Sequence, residues 1–109
     1  MHNGLITNER WEALDTFSQL ANIGSEVGRA FKWKKANLKE RADAAFFRAW
    51  ELLDATLQDE KNHKRLKEIN IARELFADLF FNRGEYKETP EHLEQYFTDF
   101  AILARQYRQ

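Results

Sequence analysis

At 109 residues the chain has the length of one ordinary domain and is too short to divide into two stable cores. Its 43% hydrophobic and 32% charged residues exclude a disordered chain, and no run approaches the roughly 20 consecutive apolar residues of a membrane span. The absence of cysteine excludes disulfides, thiolate catalysis, iron-sulfur clusters and cysteine-ligated zinc, and a formal net charge of -1 argues against a general polyanion binder.

Four glycines, one proline and no strand-like alternation leave long helices as the economical reading. After an N-terminal tail, residues 1–8, a first helix is expected over about 9–35, with Asn8 as its N-cap. Its apolar stripe is Leu14, Phe17, Leu20, Ala21, Gly24, Val27, Gly28 and Phe31. Asn37, with Glu40 three positions on, reads as the cap of a second helix over about 38–57. The polar run Gln58 to His63 reads as a connection. A third helix, about 63–81, ends at Asn82-Arg83-Gly84, where glycine supplies a left-handed cap. Thr89 and Pro90 start a fourth helix, about 90–108. Short connections favour antiparallel neighbours, so the expected fold is all-α: one domain, 1–109, an up-down four-helix bundle that pairs into a helical dimer.

Gly24 and Gly28 interrupt the first helix's stripe at a cost of about 1 kcal/mol each in helix propensity. Close approach of a neighbouring helix compensates, with Phe46, Phe76 or Phe100 expected opposite.

Chemistry-bearing motifs are sparse. Glu60-x-x-His63 stands alone, without the partners a di-metal bundle needs, so no cofactor and no metal ligand is assigned. Glu9-x-x-Glu12 followed by Glu40-x-x-Asp43 resembles, in spacing alone, the acidic pattern of the MazG-type nucleotide pyrophosphohydrolases. That resemblance implies Mg²⁺ held between neighbouring helices. A helical hairpin puts the two pairs at opposite ends, so a shared ion needs an oligomer. The arginine and histidine of the helical HEPN ribonucleases, a glycine-rich phosphate loop and a serine elbow are all missing. No catalytic residue is assigned.

Three sets of residues remain. Arg29, Lys32, Lys34, Lys35, Lys39 and Arg41 crowd the turn between the first two helices around Trp33, a pattern that suits nucleic acid. Glu68 and Arg73 fall within the third helix's apolar arc and are expected to be buried charges, with Arg29 or Arg48 serving Glu68 and Glu26, Glu51 or Asp99 serving Arg73. Ile23, Trp33, Phe47, Ile71 and Ile102 lie off the main stripes and are read as partner or oligomer contacts. The leading expectation is a cytoplasmic, non-enzymatic interaction protein that forms a homo-oligomer, a dimer being favoured, and engages an unidentified protein partner away from membranes. A nucleic-acid accessory using the turn 29–41 comes second, and a metal-dependent nucleotide hydrolase assembled in an oligomer third.

Overall fold

The computed structural model describes residues 8–107, and these are all-helical. Five α-helices follow in order: α1 (Asn8–Ala13), α2 (Thr16–Lys35), α3 (Lys39–Gln58), α4 (Leu66–Phe80) and α5 (Pro90–Tyr107). A 3₁₀ segment, Glu60–Arg65, runs directly into α4. The expected tail before Asn8, an end of the fourth helix at residue 108 and the Tyr107 side chain lie outside the described residues. Among the described residues no helix is long and apolar enough to cross a membrane.

The expected first helix is two helices. It breaks at Leu14–Asp15, where Asp15 is extended (φ -70°, ψ 165°) and its carboxylate accepts from the Ser18 amide at 2.7 Å. Aspartate is a poor helix-interior residue because its side chain competes for backbone amides, and it is a strong N-cap for the same reason. The cap of the long helix is therefore Asp15. Asn8 instead begins the six-residue α1, which buries Trp11.

Asn37 was expected to cap the second helix from outside, yet it terminates α2. It is left-handed (φ 61°), its amide donates to Lys34 O at 3.0 Å, and the Leu38 amide donates to Trp33 O at 2.9 Å. That pair of bonds is a Schellman motif, and α3 then starts after Leu38 with no side-chain cap. The motif recurs at the end of α4, where Asn82 (φ 55°) takes the left-handed position and the Arg83 amide donates to Asp78 O at 3.0 Å. Asparagine tolerates this region through its short polar side chain, so Asn82 ends α4 before Gly84 (φ 70°) is reached. Thr89 caps α5 as expected, its hydroxyl accepting from the His92 amide at 3.2 Å.

Packing centres on α2, which lies along α3 on one side and α5 on another, while α4 closes the remaining side against α3 and α5. Leu20, Ile23, Val27 and Ala30 of α2 meet Ala45, Phe46, Ala49 and Leu53 of α3, Ile69 and Phe76 of α4, and Leu93 and Phe97 of α5. At Gly24 two helices approach closely. A Cβ built there would lie 2.5 Å from Phe97 Cβ, so α5 seats directly on the α2 backbone. Phe97, rather than Phe46, Phe76 or Phe100, fills the space opposite.

The connection after α3 is ordered by a buried polar cluster. Trp11 Nε1 donates to Thr56 Oγ1 and the Gln19 amide donates to Trp11 O and Asp59 Oδ2, each at 2.9 Å. The Asn62 amide donates to Gln19 Oε1 and Thr56 O, also at 2.9 Å, and Thr16 Oγ1 bonds Asn62 Oδ1. Gln19, Thr56 and Asn62 are essentially inaccessible. Because a buried polar group without a partner is costly, these bonds fix α1, the start of α2, the end of α3 and the 3₁₀ segment in one arrangement.

Candidate interaction surface

Two surfaces stand out once the core and its polar cluster are accounted for: an aromatic rim on α3 and α4 beside the α2–α3 turn, and a cleft between α4 and α5.

The rim grows from Phe46. Its ring is buried and touches Phe76 at 4.8 Å and Phe80 at 4.6 Å between centroids, and it stacks on Trp50 at 5.5 Å. Two further rings lean on it edge-on, Phe47 at 5.4 Å and Phe81 at 4.9 Å, and these reach solvent with 59% and 51% exposure. Consecutive phenylalanines produce this because only one of each pair can face inward, at 100° per residue. Leu38, in the α2–α3 turn, is also exposed. A groove of about 440 Å³ runs past Phe80 and Phe81 between Lys34, Asn37, Lys39 and Asp43.

The six basic residues have different fates. Arg29 pairs with Glu26 at 3.4 Å, and Lys39 pairs with Asp43 at 2.7 Å, which raises the Lys39 pKa through the hydrogen bond and the carboxylate charge. Lys34 is drawn inward, its ammonium bonding Phe80 O and lying 5.1 Å above the Phe80 ring. Lys32, Lys35 and Arg41 are exposed and make no ion pair among the described residues. Trp33 is not the exposed aromatic in their midst, since it packs on the core. The exposed ring in this region is Phe81, which shares a groove with Lys34 and Lys39.

Ile23 is fully buried and cannot be a surface contact. As the central helix, α2 is covered on more than one side, so its apolar arc is wider than a single seam. Ile71 and Ile102 are exposed on α4 and α5.

Glu68 and Arg73 are half-exposed rather than buried, with side-chain exposures of 39% and 30%. Their partners also differ from those expected. Arg73 reaches back to Asp54 at 2.6 Å and lies 4.5 Å over the Trp50 ring, while Glu26 instead takes Arg48 at 3.2 Å. Glu68 takes Arg65 at 3.1 Å and the Tyr96 hydroxyl at 2.8 Å. Arg65 in turn covers the Phe17 and Phe100 rings at 5.8 and 5.3 Å. Both charged heads sit at the edge of the helix interface with their stems along apolar surface.

The cleft is lined by Ile71, Ala72, Leu75, Leu93 and Tyr96, together with Glu68, Glu88 and His92, and has a volume of about 250 Å³. Burial, followed by the bond to Glu68 and the charge of that carboxylate, raises the Tyr96 pKa far above the ordinary phenol value, so Tyr96 stays a neutral donor. The Glu88 carboxylate accepts from the Thr89 amide at 3.0 Å and lies 2.7 Å from His92 Nδ1, which lowers its pKa.

No family model matches the chain, and no curated protein or solved structure matches it.

The acidic pairs are set apart. Lys61, just beyond α3, donates to Glu12 O at 2.8 Å, whereas Glu40 lies in the first turn of α3. The residues between Glu40 and Gln58 span about 27 Å at about 1.5 Å rise per residue. Among the described residues no group of three or more histidines or acids could hold a metal ion.

Several residues that matter here carry weak sequence signals. Asp15 was marked by an Asp-Thr pair inside a helical pattern. Asp78, inaccessible at 2% exposure, accepts from the Glu85 amide at 2.8 Å and the Tyr86 amide at 3.2 Å, folding the α4–α5 loop back onto α4. Tyr86 adds a bond from its hydroxyl to Glu74 at 2.8 Å. Nothing in the spacing around Asp78 announces this role.

Proposed function

We propose that the chain is a non-enzymatic interaction protein of the cytoplasm, a single up-down helical bundle with α1 appended, which pairs with a second copy of itself through the aromatic rim. The observation that carries this reading is the pair Phe47 and Phe81, two large rings more than half exposed and braced on one buried ring. A rigid aromatic pair loses little conformational freedom on association and contributes the kind of anchor that dominates interfaces. A two-fold interface must be self-complementary, and the groove beside Phe81 carries both signs, Lys34 and Lys39 with Asp43.

Sedimentation velocity across the micromolar range tests the proposal. The native chain is expected to sediment as a dimer and a Phe47→Glu, Phe81→Glu double variant as a monomer with unchanged helical circular dichroism. A native chain that stays monomeric throughout would overturn it.

A second reading, a nucleic-acid accessory, is favoured by Lys32, Lys35 and Arg41, which make no ion pair among the described residues, and by the exposed Phe81 ring, which shares a groove with Lys34 and Lys39 of the same basic stretch. It predicts retention of single-stranded RNA on a filter with a strong inverse dependence on salt. Absence of salt-dependent retention removes it.

A further inference from the structure

We propose that the cleft between α4 and α5 is a binding site for a primary ammonium carried on a short aliphatic chain. Its walls are apolar, formed by Ile71, Ala72 and Leu75 on one side and Leu93 with the Tyr96 ring on the other. At about 250 Å³ it lies below the usual range for drug-sized ligands, roughly 300–1,000 Å³, so its occupant is small and slender. Two carboxylates line it as well, Glu68 on α4 and Glu88 just before α5.

Both carboxylates are held in place before any ligand arrives. Glu68 is oriented by Tyr96 and Arg65, and a carboxylate offers about four acceptor positions, so acceptor capacity is left over. The hydrogen bonds to Glu88 both fall on Oε1, which leaves Oε2 open among the described residues. Arg65 compensates the Glu68 charge, whereas no lysine or arginine pairs with Glu88 among the described residues. An anionic ligand meets repulsion there, and a neutral alkyl group leaves the acceptors unanswered. An ammonium is a compact charge with three donors, able to meet the open Glu88 Oε2 while its chain lies along the apolar walls. The same chemistry is offered by a free alkylamine and by the lysine side chain of a partner.

The test uses ¹H–¹⁵N correlation spectra of the full chain titrated with n-hexylammonium, hexanol, hexanoate and Nα-acetyl-lysine methylamide. Hexylammonium is expected to shift the amides of Ile71, Leu75, His92 and Tyr96 saturably, with hexanoate inert and hexanol weaker by about tenfold, the value of one charge-assisted hydrogen bond. Glu88→Gln, a half-exposed site whose loss leaves the core intact, is expected to weaken hexylammonium about as much while hexanol is unaffected. Lysine amide binding as tightly as hexylammonium assigns the site to a partner's lysine, and weaker binding assigns it to a free amine. Equal affinities for hexylammonium and hexanol, or indifference to Glu88→Gln, would overturn the proposal.

Discussion

Gly24 and Gly28 are one helical turn apart on the face of α2 that meets α5, and replacing each by alanine should change stability in opposite directions. Alanine in place of glycine gains about 0.4–1 kcal/mol by restricting the unfolded chain. At Gly28 nothing opposes that gain. The nearest atom to the added Cβ is Glu94 Oε1 at 3.5 Å, an ordinary contact at the end of a flexible side chain. At Gly24 the added carbon would sit 2.5 Å from Phe97 Cβ and 3.6 Å from Phe97 Cα. The first of these atoms is fixed to the α5 backbone, so no change of rotamer relieves the clash and α5 must move outward by nearly an ångström. Overpacking of this kind costs about 1–3 kcal/mol, and the rigidity of the obstacle places Gly24 at the upper end. Subtracting the gain leaves Gly24→Ala destabilised by about 2 kcal/mol, while Gly28→Ala is stabilised by about 0.4–1 kcal/mol. Urea denaturation followed by circular dichroism measures both against the native chain at equal protein concentration. In a domain of this size the first corresponds to a fall in Tm of roughly 8–16 °C. A Gly24→Ala variant as stable as Gly28→Ala would show that α5 does not seat against α2 at this position.

The buried polar cluster should be costly to interrupt: Asn62→Ala removes donors to Gln19 and Thr56 and is expected to destabilise by about 3 kcal/mol in the same assay, since each buried group left without a partner costs about 1–3 kcal/mol. Asp78→Ala should release the α4–α5 loop, seen as faster hydrogen exchange at the Glu85 and Tyr86 amides with α2 and α3 amides unchanged. Burial pushes the Asp59 carboxyl pKa upward, but hydrogen bonds from the Lys61 and Gln19 side chains and the Lys61 amide outweigh it, and the net pKa is below the ordinary value. The resulting stability is present above the unfolded-state pKa of about 3.9 and is lost as pH falls through the lower folded value. Acid denaturation should therefore be steeper in the native chain than in Asp59→Asn between pH of about 5 and 2.

The helical class was readable because its signals are local. Three- and four-residue spacing marked α2 to α5, and Thr89-Pro90 marked the start of α5. The misplaced features depend on contacts far away in sequence. A six-residue α1 is too short to stand alone and exists because Trp11 reaches Thr56, 45 residues on. The run Gln58 to His63 looked like a solvated connection by composition, yet Asn62 is buried by a bond to Gln19, 43 residues earlier. Ile23 was read as surplus because a helix covered on more than one side cannot be told from one with a single seam by its own periodicity. The partners of Glu68 and Arg73 were misassigned for a related reason: angular position on a helix says how near a residue lies to the interface, but the rotation of the neighbouring helix decides which charge it meets. At the rim, the basic turn was visible in the sequence, while the exposed ring beside it proved to be Phe81, not Trp33.

The indole of Trp11 makes the first described helix a stopper for one end of the molecule. A shortened chain beginning at Asp15 would retain the long helices but open that end, leaving the Thr56 hydroxyl and the Gln19 amide to find water where they now meet Trp11. Trimming into α1 is thus an alteration of the interior.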